Sequence, residues 1–174
     1  MPGGTQMLPL TEIHFSLDIE SGIEKVWKQL TTQKGITSFF SPIANVDFHV
    51  NGLFEIIFAP SAPVGKQGAE GMRILSMDKP NLFGFTWNSP PSIPKIRGQR
   101  TAVFIYLDSI SESKTRLVFI NNGYGLSTEW QEARDYFLNA WGNIVLPRLK
   151  FSLEQEAIDW ENMPNLTKYK LYNP

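Results

Sequence analysis

Two imidazoles, His14 and His49, are all that 174 residues without a cysteine offer for metal binding or for proton transfer near neutral pH. Neither has a partner at a ligand spacing such as H-E-x-x-H, so no metal site is expected. The lack of cysteine also removes thiolate zinc sites, disulfides and thiol nucleophiles, and it fits a reducing compartment. Asp47 and His49 stand at i, i+2 on one strand face and could pair. The solvated face opposite Val46, Phe48 and Val50 is the favoured place for both, and His14 reads the same way on the polar side of the first strand. No G-x-S-x-G elbow occurs, and in Gly125-Leu126-Ser127-Thr128-Glu129 the hydroxyl residues are accounted for by helix capping. Gly123-Tyr124-Gly125 precedes a helix but lacks the third glycine of a dinucleotide fingerprint and a following βαβ unit. No catalytic set and no cofactor is therefore expected.

Charged groups inside apolar strands are the next candidates. Glu55 lies between Phe54 and Ile56, and Arg73 between Met72 and Ile74. Either could orient the polar head of a ligand, but strand alternation puts Glu55 opposite Phe54, Ile56 and Phe58, on the outer face. The aromatics make the stronger case. They are 13% of the chain, with 12 Phe and 5 Trp, and need a large interior or a pocket. Phe83, Phe85 and Trp87 share one strand face, and Phe104 with Tyr106, Phe54 with Phe58, and Phe137 with Trp141 can converge on it. Most of these side chains are plain core. A cavity, if present, is expected to be lined by Phe54, Ile56, Phe58, Phe85, Trp87, Phe104, Tyr106, Phe137 and Trp141. Tyr106, Trp87 and Trp141 stand out because each carries a polar handle in an apolar wall.

The elements that must position these residues follow from periodicity. Residues 11–19 alternate as a strand, and Ser21-Gly22-Ile23-Glu24 fits a capping box for a short helix with Ile23, Val26, Trp27 and Leu30 on one face. After Gly35, residues 36–40 make one more helical turn before Pro42. Residues 46–50 lead into Asn51-Gly52, a type I′ hairpin signal, and return over 53–58. Strands are expected at 71–77, 82–88, 101–107 and 115–121, with a proline-rich loop over 89–98. Residues 128–156 form one long amphipathic helix of roughly 40 Å, with Thr128 and Gln131 as its capping box. Its inward stripe is Trp130, Ala133, Phe137, Trp141, Ile144, Val145, Leu149 and Leu153. Pro147 and Gly142 predict a kink in it.

One domain fits this length, over residues 11–156, with a leader at 1–10 and a C-terminal tail at 157–174. A net charge of −1 gives no reason to expect nucleic acid, and no apolar run approaches the roughly 20 residues that span a bilayer. The segment before residue 10 has no secretory signal pattern, so the cytoplasm is the expected location.

The order of elements and several local sequences resemble the helix-grip superfamily of START-like and birch-pollen-allergen-like domains (SRPBCC). Within it the chain is most similar to the family named for the activator of the ATPase of the ninety-kilodalton heat-shock chaperone. The matching stretches are Val26-Trp27-Lys28-Gln29-Leu30-Thr31, residues 36–42, residues 47–52, residues 71–80 with Phe85-Thr86-Trp87, and residues 141–153. Two positions depart from the pattern. The first hairpin carries Asn51-Gly52 in place of Gly-Gly, and Asn121-Asn122-Gly123 stands where relatives often have a His before the Gly.

The resemblance implies an α+β helix-grip fold. A curved antiparallel sheet of six to seven strands wraps around a long C-terminal helix, with two short helices after the first strand. Three functions come with it. The first is a domain binding a hydrophobic or lipid-like small molecule, as monomer or homodimer. The second is a protein-interaction module that modulates a chaperone ATPase or a stress response. The third is a hydrolase or cyclase acting on a hydrophobic substrate. The family offers no shared catalytic set to carry over.

Overall fold

Residues 10–174 are described in the computed structural model, so the expected leader falls outside the described residues except for Leu10. Seven strands form one antiparallel sheet: β1 (Glu12–Ile19), β2 (Ile43–Val46), β3 (Leu53–Ile57), β4 (Gly68–Asp78), β5 (Leu82–Trp87), β6 (Thr101–Ser111) and β7 (Lys114–Asn122). Their spatial order is β1-β7-β6-β5-β4-β3-β2. Between β1 and β2 come α1 (Ile23–Leu30) and α2 (Gln33–Phe39). The closing helix runs as α4 (Thr128–Ala140), a π-helical turn at Trp141–Val145, and α5 (Leu146–Glu154), after a short α3 (Pro94–Arg97). This is the expected helix-grip architecture, the curved sheet closed by a long helix.

Alternation sets the inner face. In β1 the buried residues are Ile13, Leu17 and Ile19, and their antiparallel pairing with β7 places Ile13 opposite Asn121 and Phe15 opposite Phe119. Phe83 and Phe85 of β5 pair with Ile105 and Val103 of β6, which in turn pair with Phe119 and Asn121. One apolar layer thus crosses the sheet, and the helix lies on it through Ala133, Phe137, Trp141, Val145 and Leu149, all buried. Truncating a fully buried phenylalanine such as Phe54 or Phe119 to alanine in a layer like this costs about 3–5 kcal/mol.

Several local expectations shift by a residue or two. The long helix is capped by Ser127, whose hydroxyl accepts from the Trp130 N–H, while Gln131 donates instead to the Gly125 carbonyl. Gly22, with no side-chain cap, starts α1 in place of Ser21, whose carbonyl accepts from the Thr115 hydroxyl. The β2–β3 connection is longer than a two-residue turn. It spans residues 47–52, closed by Asp47 N–H to the Leu53 carbonyl, and Asn51 alone takes positive φ there (67°). The proline-rich loop contains α3, which Pro94 opens at the position where a missing N–H is tolerated.

Where a kink is expected the helix makes a π turn. The Leu146 N–H reaches back five residues to the Trp141 carbonyl instead of four to Gly142. Pro147, the five-residue partner of Gly142, has no N–H, so the Gly142 carbonyl loses both helical donors. The Leu171 N–H supplies the bond at 2.9 Å, and the Tyr172 N–H donates to Asn143 Oδ1 at 3.0 Å. The polar tail of the sequence is therefore docked on the helix. Gly142 permits the contact, since a Cβ there would stand 2.6 Å from the Phe15 ring and 2.9 Å from Tyr172 Cβ.

Candidate functional site

A pocket of about 250 Å³ opens where the end of β3, the end of β5 and the helical stretch 136–148 meet. Phe58, Trp87, Phe137 and Trp141 form its aromatic wall, with Tyr136, Ala140, Ile144, Val145 and Arg148 around them. The volume is below the roughly 300–1,000 Å³ of pockets that enclose drug-sized ligands and above the 150 Å³ that holds a benzene. Three other depressions border α1, lined largely by charged and polar groups such as Glu24, Lys25 and Lys28.

Four of the nine residues expected to line a cavity therefore stand in this wall. Phe54, Ile56 and Phe85 do not. They are 0–1% exposed, and Phe54 stacks on Phe85 with ring centroids 4.2 Å apart. These three belong to the packed core between sheet and helix. Phe104 and Tyr106 point away from the helix altogether, and Tyr106 is 42% exposed. In β6 the inner face belongs to Val103, Ile105 and Leu107. Phe104 instead covers Gly84 from outside, where a Cβ would meet its ring at 2.8 Å. The large β5 aromatics occupy the inner volume, and the smaller aliphatics of β6 fit beside them.

Polar atoms at the site fall into two groups. Trp141 is anchored: its indole N–H donates to Asn121 Oδ1 at 3.1 Å. The same oxygen accepts from the Tyr124 hydroxyl at 2.6 Å, while Asn121 Nδ2 donates to the Thr101 hydroxyl and the Ala102 carbonyl, both at 3.0 Å. Asn121 is fully buried in the apolar layer and is satisfied on both sides of its amide. Burial pushes the Tyr124 hydroxyl far above its usual pKa, so it stays a donor. In sequence Asn121 stands out only as a departure from the family pattern, and its one other signal is a polar residue on the inner phase of β7.

The second group has no partners. The indole Nε1 of Trp87, 3% exposed as a residue, is buried without a hydrogen bond, and so is Nε of Arg148. The Arg148 guanidinium carbon lies 5.2 Å from the centre of the Trp160 ring, and burial lowers its pKa from the usual arginine value.

The polar candidates lie elsewhere. Glu55 accepts from the Gly71 N–H, the backbone N–H of Arg73 donates to the Thr86 hydroxyl, and neither side chain nor Tyr106 lines the pocket. Asp47 and His49 do pair, Oδ2 to Nε2 at 2.7 Å, but in the exposed β2–β3 connection. Among the described residues no cluster of three or more His, Asp or Glu side chains could hold a metal ion. No helix among them is long and apolar enough to cross a membrane.

Solved structures of the same fold accompany this geometry. The Aha1 dimer from Colwellia psychrerythraea is 16% identical, with TM-score 0.61 over 86% of this chain and 98% of that one. An HSP90 activator from Plasmodium falciparum is 17% identical, with TM-score 0.60 over 78% of this chain and 91% of that one. A conserved protein of unknown function from Enterococcus faecalis is 20% identical, with TM-score 0.66 over 94% and 82%. No curated protein matches the sequence. Residues 21–154, from the start of α1 to the end of α5, match the family described as activator of Hsp90 ATPase homolog 1-like protein, and the chain belongs to that family.

Proposed function

We propose that this domain binds a small apolar-bodied molecule in the pocket between Trp87 and the helical stretch 136–148. The observation that carries the reading is the buried, unpartnered indole N–H of Trp87 in a wall of aromatic rings. A buried donor without an acceptor costs about 1–3 kcal/mol, and a ligand acceptor would remove that cost. The test is a thermal-shift and tryptophan-fluorescence titration with one- and two-ring aromatic compounds, repeated on Ala140→Phe, which fills the pocket. Saturable binding lost in Ala140→Phe supports the reading; binding unaffected by that substitution, or none across the panel, overturns it.

A second reading, modulation of a chaperone ATPase, is favoured by the family match and by the two Aha1- and HSP90-activator structures among the similar folds. Stimulation of the ATPase rate of a purified ninety-kilodalton chaperone by micromolar domain would support it. An unchanged rate together with no complex by size exclusion would remove it.

A further inference from the structure

Two residues of the pocket wall carry unpaired donors. Both buried polar atoms left without partners in the described chain, Trp87 Nε1 and Arg148 Nε, belong to residues of this one pocket. Both are donors only, since neither an indole nor a guanidinium can accept a hydrogen bond. A group that reaches either atom must bring lone pairs and no competing proton, which disfavours an amine and favours an oxyanion.

Charge points the same way. Arg97, also partly buried, lies 3.6 Å from Glu70 and donates to the carbonyls of Gly65, Ser89 and Gly68. Arg116, at the surface, is paired with Asp18 at 2.8 Å. Arg148 has neither an ion pair nor a hydrogen bond among the described residues, only the face of Trp160. A partly buried cation without a counter-charge is costly to hold unless something else supplies one. It is the only cation in the lining, so a single negative charge balances it; a dianionic phosphate would leave excess charge in an aromatic wall. The volume of about 250 Å³ leaves room beyond the charged group for one or two rings or a short branched chain, and not for a sterol-sized body.

We propose that the pocket selects a small aromatic or branched-chain monocarboxylate, its carboxylate accepting from Arg148 and its apolar body packed among Phe58, Trp87, Phe137 and Trp141. The proposal rests on the small-molecule reading above and narrows it to a ligand class.

The test pairs each carboxylate with its neutral amide of the same shape: 2-naphthoate with 2-naphthamide, phenylacetate with phenylacetamide, and 4-methylpentanoate with its amide. Binding to the wild-type protein is read by calorimetry and by the ¹⁵N-¹H signal of the Trp87 indole. Carboxylates are expected to bind at least 10-fold tighter than their amides and to move the Trp87 indole signal. The preference should fall to within about 2-fold in Arg148→Met. Equal binding of acid and amide overturns the anion selection and leaves the small-molecule reading standing. Binding of neither member of any pair overturns both. The acid–amide comparison on the wild-type protein decides the question even where Arg148→Met fails to fold.

Discussion

The rings of Trp87 and Trp141 lie 4.9 Å apart at 52°, yet their indole N–H groups meet opposite fates. Trp141 donates to Asn121, whereas Trp87, buried almost as deeply, donates to nothing. Trp141 is structural glue with a satisfied polar end. Trp87 contributes the same apolar bulk, and its donor is buried without a partner.

Substituting each by phenylalanine should separate these roles. Trp141→Phe removes a made hydrogen bond and ring volume, and is expected to cost about 2–3 kcal/mol in urea unfolding. Trp87→Phe loses similar volume but also removes an unmet donor, so its cost should stay within about 1 kcal/mol. Equal costs for the two would contradict the assignment of Trp87 Nε1 as unpaired.

Asn121→Leu keeps the side-chain volume while stranding the Tyr124 hydroxyl and the Trp141 N–H. With about 1–3 kcal/mol for each buried group left unmet, and relaxation recovering part of it, a loss of about 3 kcal/mol or more is expected. Adding Tyr124→Phe to Asn121→Leu should cost less than the sum of the two single changes, because the stranded hydroxyl is gone. Strict additivity in denaturation midpoints would show that the two side chains are not coupled.

His49 provides the pH dependence. Its Nδ1 lies 2.9 Å from the Val50 carbonyl and its Nε2 2.7 Å from Asp47, and only the doubly protonated ring can donate to both. Its pKa is raised above 6.5, first by the Val50 carbonyl and then by Asp47. Since the folded value lies above the unfolded one, the stabilising contribution is fully present below about pH 6.5 and fades as pH rises through the folded pKa. NMR titration of the His49 ring should show the raised value. In Asp47→Asn it should fall, yet remain above the free-histidine value because the Val50 contact persists. A wild-type value at or below 6.5 would refute this account.

Gly142→Ala places a methyl against Phe15 and Tyr172 and is expected to loosen the segment around Leu171 before the sheet is affected. Hydrogen exchange is the measurement: the Leu171 amide should exchange at least 10-fold faster, while amides at the centre of β7 change little. Uniform acceleration across the domain would instead indicate global destabilisation.

Legibility in the sequence followed the strength of the periodic signal. β1, with Ile13, Leu17 and Ile19 against His14 and Ser16, and the long helix were readable because only one phase of each is apolar. β6 was not: residues 102–107 are apolar throughout, so alternation gives no phase, and the larger Phe104 and Tyr106 were expected inside. The register against β5 decides otherwise. The pocket was half legible. Phe58, Trp87, Phe137 and Trp141 border one pocket, whereas Arg148 reads in sequence as an ordinary charge on a helix. Its position against Trp160, without an ion pair among the described residues, depends on tertiary packing that no local pattern encodes.

The π turn gives the molecule one further property. Trp141, Ile144 and Val145 belong both to that turn and to the pocket wall, and the carbonyl of Gly142 in the same turn is held by Leu171. The tail thus holds the turn that carries part of the wall, through Leu171 N–H to the Gly142 carbonyl and Tyr172 N–H to Asn143 Oδ1. Residues 171 and 172 brace that turn as a splint braces a joint, without lining the pocket themselves.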